Sequence, residues 1–583
     1  MSSGDGPLRL AIHDDGDCLD IAAVDPTTTR RRLSAAVPGL RGRRQAGRVT
    51  LTWAEATALF ASGEPVEATA EASRAVMARE SIRSAAPAVL SRLASLRDAP
   101  LEQVRTAVTG STLLDVLDDH QLRNVAAMTV PGGWGTCVFD EQGTGKTVTL
   151  ITAFDLLVER NEADVLLVVA PKSMIGEWAV EFRRFTHDLY KVVVADGDRH
   201  QKAHALRVGA DIVVVNYETT VSLADQLVLL ARRCRLVLGV DESYNVKNPH
   251  AARTQALRRL REHCGRTYVL CGTPAPNSAT DLISQFDLVD LGLTFGGVIP
   301  DRDRDTAAKQ VAGVLRDRGH YLRNLKNDVL DLPGRTFTDL PVTLAPRQRR
   351  AYDAALTDLV LDLRNTSDQE YTSRITSYLE RRSALLRICS DPSPLVSGYD
   401  ETPAKIATLD TLLTDLISRD EKVILWSFYR HSLDQLAGRY TEFGLVRVDG
   451  SVPAPERRDA VSRFQDDPRV RIFLGNPAAA GAGLTLHTAR VAVYESMSNQ
   501  AAHFMQSLDR IHRRGQHRPV EYITLLAQDT LETVEYRRLL RKADAQADLL
   551  GDCPEPRPTR EMLLDELLAA HAGSNHERRV VLL

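Results

Sequence analysis

TCVFDEQGTGKTVTL, residues 136–150, is the stretch that decides how this chain is organised. A short apolar run leads into a glycine-rich turn, and a helical pattern follows the turn directly. Gly143 and Gly145 allow the backbone to wrap a phosphate group, Lys146 supplies a positive charge, and Thr147 offers a hydroxyl to Mg²⁺. The N-terminus of the following helix adds its dipole to the same anion site. The stretch therefore predicts a phosphate-binding loop between a strand and a helix.

Two blocks of the chain alternate short β-rich runs with helical stretches, a pattern that requires crossover connections and a parallel sheet. In the first block the strand candidates are TCVF from 136, DVLLVVAP from 164, DIVVVNY from 211, RLVLGVDE from 235 and TYVLCGT from 267. In the second they are KVILWS from 422, LVRVDG from 445, VRIFLG from 470, RVAVYE from 490 and VEYITLL from 520. The predicted fold class is α/β, with two doubly wound parallel-sheet domains in tandem.

Composition and charge are those of an ordinary globular protein. Hydrophobic residues make up 43% of the 583 residues and charged residues 26%, and 73 Lys and Arg against 77 Asp and Glu give a formal net charge of −4. No run approaches the roughly 20 apolar residues that span a bilayer. The seven cysteines form no C-x-x-C pair, so we expect reduced thiols rather than disulfides or a zinc site. These features predict a cytoplasmic chain with no membrane partner.

The remaining segments complete a predicted five-part organisation. Residues 345–395 are helical and charged and indicate a helical insertion, while the Ala-rich stretch from 66 to 107 predicts helices in a small N-terminal accessory region. The predicted parts are an accessory region over 1–105, a first lobe over 106–335, a helical bridge over 336–400, a second lobe over 401–545 and a C-terminal helix and tail over 546–583.

A pair of carboxylates ends the predicted strand RLVLGV. Asp241 is suited to hold the Mg²⁺ shell, and Glu242 to orient and deprotonate an attacking water. The next strand ends in CGTPAPN, a tight polar turn that would lie beside them.

In the second block, QSLDRIHRRGQ places Gln506, Arg510 and Arg513 at spacings of four and three. If this stretch is helical, all three project from one face. Arginines at that spacing usually form a solvated or salt-bridged face, but next to a phosphate loop they would act as arginine fingers that stabilise transition-state charge.

The ordered motifs resemble the Swi/Snf-like ATPases of helicase superfamily two. The series comprises DEQGTGKT, APKSMIGEWAVEFRRF, VVVNYE, DESYNVKNP, CGTPAPN, LRNLKNDVLDLPGR, ILWSFYRHSLDQL, VDGSVPAPERRDAVSRF, GAGLTL and QSLDRIHRRGQ. The resemblance runs from Gln121 to Gln516 and implies two RecA-like lobes, ATP with Mg²⁺ as cofactors, and double-stranded DNA as partner.

Residue by residue, the resemblance implies the following roles. Gln121 helps to recognise adenine; Gly143, Thr144, Gly145, Lys146 and Thr147 bind phosphates; Thr147 and Asp241 bind the metal; Glu242 acts on the water; and Arg510 and Arg513 are the fingers, with Gln506 beside them. The positions implied to touch DNA are Lys172, Ser173, Asn216 and Tyr217 in the first lobe, and Asp449, Gly450 and Arg457 in the second.

Three features depart from the usual pattern, and one of them is Thr485, which stands where many members of the family have Asn. Asp140 stands at the first glycine of the phosphate-loop consensus. The carboxylate motif reads Asp241-Glu242-Ser243-Tyr244, where the family usually has Asp-Glu-Ala-His or, in several bacterial members, Asp-Glu-Ala-Gln. The fourth position often links ATP chemistry to the CGTP turn, and a tyrosine cannot act there as an imidazole.

Residues 30–48 are strongly basic. They carry seven arginines and no acid, namely Arg30, Arg31, Arg32, Arg41, Arg43, Arg44 and Arg48. Such a stretch can neutralise several phosphates in a salt-sensitive, sequence-independent way, and it can equally be an exposed basic loop of no special role.

The function predicted from these motifs is an ATP-driven translocase on double-stranded DNA. Two alternatives stay open: a strand-separating helicase on DNA or RNA, and an ATP-gated scaffold in a multiprotein complex. For the cellular setting, phage defence is the leading hypothesis, by family analogy alone, with DNA repair and recycling of RNA polymerase as the others.

Overall fold

Three β-sheets organise the part of the chain that the structure describes, and two of them are wholly parallel. The computed structural model describes residues 8–12, 19–22, 26–37, 43–45, 48–51, 53–275, 278–480, 484–498 and 500–549. The chain divides into two units, Met1–Val329 and Leu330–Leu583.

The first sheet lies in the N-terminal part of the first unit. Its strands are β1 Leu8–Ile12, β2 Leu19–Ala22, β3 Arg43–Gln45, β4 Arg48–Leu51 and β5 Val66–Ala68, in the order β3-β4-β2-β1-β5. Helices α1 Pro26–Ala36 and α2 Trp53–Ala61 accompany it, and the core packs Leu10, Ile21, Leu33 and Leu59 together. The sequence did not predict this sheet, since strands such as Arg43–Gln45 are polar and form no apolar run.

The basic stretch passes through α1, β3 and β4. Arg31 is exposed, and Arg32 pairs with Glu64 at 2.5 Å. Arg41 lies outside the described residues, and only the backbone is described for Arg30, Arg43, Arg44 and Arg48.

A long helix, α3 Ala70–Arg97, joins this small sheet to the rest of the first unit. The Arg79 guanidinium lies 3.6 Å from the ring centroid of Trp53 and donates to Glu262 at 3.1 Å. Burial lowers the pKa of Arg79, and the Glu262 carboxylate opposes that shift. Arg79 therefore links Trp53, at the start of α2, to Glu262, which follows the helix Ala252–Arg261.

The second sheet is the predicted first lobe. It has seven parallel strands in the order β12-β6-β11-β10-β7-β9-β8, with β6 Gly135–Val138, β7 Val165–Ala170, β8 Val192–Val194, β9 Ile212–Asn216, β10 Leu236–Asp241, β11 Arg266–Leu270 and β12 Tyr321–Leu322. Its helices are α4 Leu101–Ala107, α5 Asp119–Met128, α6 Lys146–Glu159, α7 Ile175–Thr186, α8 Arg199–Ala205, α9 Tyr217–Ser222, α10 Ala224–Ala231, α11 Ala252–Arg261, α12 Asp281–Asp290, α13 Arg304–Arg318 and α14 Lys326–Val329. Short 3₁₀ turns cover Thr112–Val116 and Ser243–Val246.

The third sheet, in the second unit, has six parallel strands in the order β13-β18-β17-β14-β16-β15. They are β13 Arg335–Val342, β14 Val423–Trp426, β15 Leu445–Val448, β16 Ile472–Gly475, β17 Val491–Tyr494 and β18 Val520–Ala527. The helices are α15 Pro346–Arg364, α16 Asp368–Ser390, α17 Ala404–Ser418, α18 Arg430–Arg439, α19 Ala454–Asp466, α20 Pro477–Ala480, α21 Ala501–Leu508 and α22 Leu531–Leu549, with a 3₁₀ turn at Thr441–Phe443.

The predicted fold class, two tandem RecA-like parallel-sheet lobes, is confirmed. All ten predicted strands are present, since buried runs of β-branched residues such as Val213–Val215 favour fully covered parallel strands. The sequence reasoning did not find β8, β12 and β13.

The helices α15 and α16 belong to the second unit and pack against each other and against the start of α22. Tyr352 and Leu356 share a buried cluster with Tyr378 and Leu531, and the backbone N–H of Leu531 donates to the Tyr352 hydroxyl at 2.7 Å. This helical pair therefore extends the core of the second lobe.

Across the described ranges, no helix combines the length and apolar character needed to cross a bilayer. Residues 550–583, which include most of the predicted C-terminal tail, lie outside the described part.

Candidate nucleotide site

The glycine-rich loop connects β6 to α6, and its glycines have the left-handed conformations that the motif requires. Gly143 has φ of 87° and Gly145 has φ of 94°. The positive φ of Gly145 disfavours other residues, and a Cβ added there would lie 2.2 Å from Nε2 of Gln121 and displace that side chain. The helix begins at Lys146 behind a residue with no side chain to cap it, so its first N–H groups suit an anion.

Lys146 is buried at the centre of this loop. Its Nζ donates to the carbonyl oxygens of Asp140 and Glu141, at 2.9 and 3.0 Å, and Thr144 Oγ1 also donates to Glu141 O, at 2.8 Å. Neutral carbonyls are weaker partners for an ammonium group than phosphate oxygens. The loop therefore fits a phosphate group that would take over the lysine.

Gln121, on α5, supports the loop from behind. Its Nε2 donates to Thr144 O at 2.8 Å, and its Oε1 accepts from the backbone N–H of Asp118 at 3.0 Å. The ring Nε2 of His120 lies 2.9 Å from the same Thr144 oxygen. The described contacts of the glutamine are with the loop and with the start of its own helix.

Asp140 is anchored by two asparagines. Its Oδ2 accepts from Asn124 Nδ2 at 2.6 Å, and its Oδ1 accepts from the backbone N–H and the Nδ2 of Asn324 at 2.8 and 2.9 Å. Only 1% of Asp140 is exposed. Lys326 N also donates to the Glu141 carboxylate at 2.5 Å. The segment that follows β12 therefore holds the first two residues of the phosphate loop.

Asp241 ends β10 on the same edge of the sheet. Its Oδ2 accepts from the indole N–H of Trp178 at 2.8 Å, and its Oδ1 accepts from the Glu242 backbone N–H at 2.9 Å. Burial raises the pKa of Asp241, while the Trp178 hydrogen bond and the Lys146 charge oppose that shift. A bound cation would further favour the charged carboxylate.

Glu242 is buried, and its backbone lies in the left-handed region, with φ of 50° and ψ of 54°. For a residue other than glycine this conformation costs roughly 1–3 kcal/mol, so the surrounding contacts must hold it. Oε1 accepts from Gln142 Nε2 at 2.9 Å, and Cys271 Sγ lies 3.9 Å from Oε2. Gln142 belongs to the phosphate loop, so the loop and the carboxylate pair are in direct contact.

The residues of this site can hold a magnesium ion only if phosphate oxygens supply further ligands. Among the described residues, no group of three or more His, Cys, Asp or Glu could hold a metal. Mg²⁺ commonly takes one or two protein ligands and completes its shell with substrate phosphates and water. Asp241 and the half-buried Thr147 suit that mode.

In the second unit, α21 ends at Leu508, so the expectation that Arg510 and Arg513 project from one helical face is wrong. The Tyr522 hydroxyl donates to Leu508 O at 2.6 Å, and turns follow. Arg510 and Arg513 nevertheless converge, because each donates from Nη1 to Leu484 O, at 3.1 and 3.2 Å. Gln506 is buried and its carbonyl accepts from Arg510 Nε at 2.8 Å.

The positions predicted to touch DNA in the first unit fall into two groups. Lys172 and Ser173 are exposed directly after β7. Asn216 and Tyr217 are buried: Asn216 Oδ1 accepts from Thr219 N at 2.9 Å, and the Tyr217 hydroxyl donates to Asp241 O at 2.5 Å. The two groups therefore differ in exposure, although they follow neighbouring strands in which Ala170 pairs with Asn216.

In the second unit, Gly450 is exposed and Arg457 is half-buried, with its Nε donating to Val452 O at 2.7 Å. Burial would raise the pKa of Asp449, but hydrogen bonds from Ser451 and Arg447 outweigh it, so the pKa lies below its ordinary value. Asp449 is thus ionised and accepts the hydrogen bonds of Ser451 in the turn after β15.

Several residues of the site were not assigned from the sequence. Trp178, Gln142 and Asn324 lie within motifs of the family series, and Asp140 is a departure from one, but the sequence assigned no role to any of them or to Asn124. Their roles depend on contacts across 16 to 184 positions, which a single sequence does not reveal.

The fold and the site together define a phosphate-loop protein with two tandem RecA-like lobes. The SNF2-related domain family matches residues 120–394, and the helicase conserved C-terminal domain family matches residues 404–515. The chain belongs to the SNF2-related family, with a helicase conserved C-terminal domain after the SNF2-related domain.

Curated relatives match at modest identity. The mouse "Chromodomain-helicase-DNA-binding protein 1-like" is 28% identical over 436 residues, covering 70% of this chain and 47% of that protein. The "Putative ATP-dependent helicase/translocase YwqA" of Bacillus subtilis is 27% identical over 434 residues, covering 69% and 45%. This chain spans less than half the length of these relatives.

Among solved structures, the "Sulfolobus solfataricus SWI2/SNF2 ATPase core in complex with dsDNA" is 20% identical at a TM-score of 0.34, covering 81% of this chain and 97% of that one.

The asparagine anchor of Asp140 can be tested with Asn324→Ala. The change removes one of the two side chains that hold a buried carboxylate, and a lost hydrogen bond to a charged group typically costs about 1.5–3 kcal/mol. We expect weaker binding of a fluorescent ATP analogue by about tenfold, measured by titration. Asn327→Ala, at an exposed position of α14, is the control and should bind normally. Equal binding by both variants would contradict the anchoring role.

Proposed function

We propose that this chain hydrolyses ATP and uses the energy to move along double-stranded DNA. The observation that carries the proposal is the contact between phosphate loop and carboxylates, in which Gln142 Nε2 donates to Glu242 Oε1 at 2.9 Å. A phosphate-binding loop that touches an acidic pair is the arrangement that phosphoryl transfer to water needs.

The proposed chemistry divides among four residues of the first unit. Lys146 would bind the phosphates, and Thr147 and Asp241 would hold Mg²⁺, which neutralises charge on the phosphates when bound. Glu242 would accept the proton of the attacking water. Its buried position between Gln142 and Cys271 restricts the carboxylate to few orientations, which suits a general base.

Glu242→Gln is the first test of this assignment. The amide keeps the shape of the side chain but cannot accept the proton, so ATP binding should persist while turnover falls at least a hundredfold. Lys146→Ala should lose both binding and turnover, because the phosphates lose their cation. Steady-state ATPase assays and nucleotide titration measure the two effects. Turnover at the wild-type rate in Glu242→Gln would show that another group is the base.

The DNA half of the proposal rests on the exposed end of β7 and on the family. Lys172 and Ser173 lie at the carboxyl edge of the sheet, where α/β proteins bind ligands, and they are open to solvent. A lysine and a hydroxyl contact phosphates without reading bases, so such a motor would show little sequence preference. Curated relatives carry names such as "ISWI chromatin-remodeling complex ATPase ISW1" from Saccharomyces cerevisiae.

Duplex DNA should stimulate ATP hydrolysis several-fold, and poly-A RNA should not. Lys172→Ala should weaken the stimulation and reduce the salt dependence of DNA binding by about one phosphate contact. Lys309→Ala, an exposed lysine on α13, should behave as wild type. Equal stimulation by single-stranded RNA would favour the strand-separating helicase, and absence of any stimulation would favour the ATP-gated scaffold.

Movement itself needs a separate assay, because stimulated hydrolysis shows only that DNA is sensed. A translocase should displace a triplex-forming strand from duplex DNA while leaving a forked duplex intact. A helicase should do the reverse.

Arg510→Ala and Arg513→Ala test the proposed role of the second unit. These arginines would stabilise charge on the transferred phosphoryl group, an effect worth roughly 10³–10⁵ in rate for arginine fingers. We therefore expect kcat to fall by orders of magnitude, while the nucleotide affinity of the first unit changes less. Arg514→Ala, an exposed neighbour, is the matched control. ATPase rates within about threefold of wild type for both variants would remove the second unit from the hydrolytic mechanism.

For the cellular setting we propose phage defence, a proposal that rests on family analogy alone. Plating efficiency of phages on cells with and without the gene tests it. An unchanged plating efficiency together with sensitivity to DNA-damaging agents would favour repair instead.

A further inference from the structure

Ser243, the residue that follows Glu242, makes a buried hydrogen bond to a helix outside the motif. Its hydroxyl donates to Gln285 Oε1, on α12, at 2.6 Å, and both residues are fully buried. Gln285 Nε2 in turn donates to Pro274 O at 2.6 Å and to Asp281 O at 2.9 Å. The amide of Gln285 thus uses both of its N–H groups and its oxygen inside the protein.

Pro274 belongs to the turn after β11, and the start of that turn also contacts Glu242. Cys271, at the start of the turn, has its Sγ 3.9 Å from Glu242 Oε2. Burial raises the pKa of Cys271 to about 12, so this contact is with a neutral thiol. The turn therefore meets the carboxylate directly at Cys271 and indirectly through Gln285 and Ser243.

The strained backbone of Glu242 explains why the next residue needs an anchor. Ser243 is the first residue of the 3₁₀ turn, which follows directly after the left-handed Glu242. Asn245 closes that turn, with its N and Nδ2 donating to Glu242 O at 3.0 and 2.9 Å. Ser284 fixes the far end, since its Oγ donates to Val246 O at 2.6 Å. Of these contacts, the one through Gln285 continues to the Pro274 turn.

We propose that Ser243, Gln285 and the Pro274 carbonyl form a positioning relay that holds the Glu242 carboxylate in its working orientation and couples it to the turn 271–275. None of the three touches the reacting atoms, so they act through Glu242. The relay rests on the proposed role of Glu242 as the base.

The test compares two serines that make similar bonds. Ser243→Ala and Ser284→Ala each remove one buried hydroxyl between the same helix and the same turn, and we expect them to lower the thermal unfolding temperature by similar amounts. Only Ser243→Ala should lower kcat, by about tenfold, with KM for ATP and affinity for duplex DNA unchanged. Gln285→Met, which keeps the volume and removes the hydrogen bonds, should lower kcat to the same extent.

The double variant Ser243→Ala/Gln285→Met gives a readout that a merely structural role would not produce. Residues acting as one unit are non-additive, so the double variant should lose about as much kcat as either single variant. Equal kcat losses for Ser243→Ala and Ser284→Ala, additive losses in the double variant, or wild-type kcat in Gln285→Met would overturn the relay.

Failure of the relay is distinguishable from failure of the proposed function. If Glu242→Gln is inactive while the relay variants turn over normally, the base stands and the relay does not. If Glu242→Gln is active, the assignment of the base itself fails.

Discussion

Parallel pairing of β6, β11 and β10 is the constraint on which the site depends. The register pairs Val138 with Leu270 and Leu270 with Asp241, so three carboxyl ends lie side by side. The phosphate loop, the Pro274 turn and the carboxylate pair leave these three ends in order. Residues 100 positions apart, such as Gln142 and Glu242, can then share a hydrogen bond. A slip in the register of any one strand would separate the loop from the carboxylates.

The fold was largely predictable from sequence because buried parallel strands have a strong local signature. Runs such as Val165–Ala170 are apolar and β-branched and are flanked by turn residues, and every predicted run became a strand. The three strands missed in the two parallel sheets lack that signature. β12 has two residues, β8 has three, and β13 is largely exposed at the edge of its sheet, so its residues do not form a buried apolar run.

The candidate site was predictable only where the chemistry is local. The loop and the carboxylate pair are short motifs with a fixed residue order, and their glycines and acids stand where the motifs require. The contacts that orient them are not local: Trp178 reaches Asp241, and Asn324 reaches Asp140, from distant segments. The helical face inferred for Arg510 and Arg513 fails for the same reason. The helix α21 ends at Leu508, and the hydroxyl of the distant Tyr522 donates to Leu508 O. Tertiary contacts, rather than periodicity, decide where that helix ends.

The departures from the family pattern make physical sense when taken with their partners. At the first consensus glycine the chain has Asp140, a buried carboxylate that would be costly alone, and it is held by Asn124 and Asn324. At the third position of the carboxylate motif it has Ser243, a buried hydroxyl that would also be costly alone, and it is held by Gln285. In both cases a polar side chain inside the lobe is matched by an amide from another segment. These hydrogen bonds fix the distance between separate elements of the lobe. The loop is therefore held by the segment after β12, and the carboxylates by α12, as well as by their own strands.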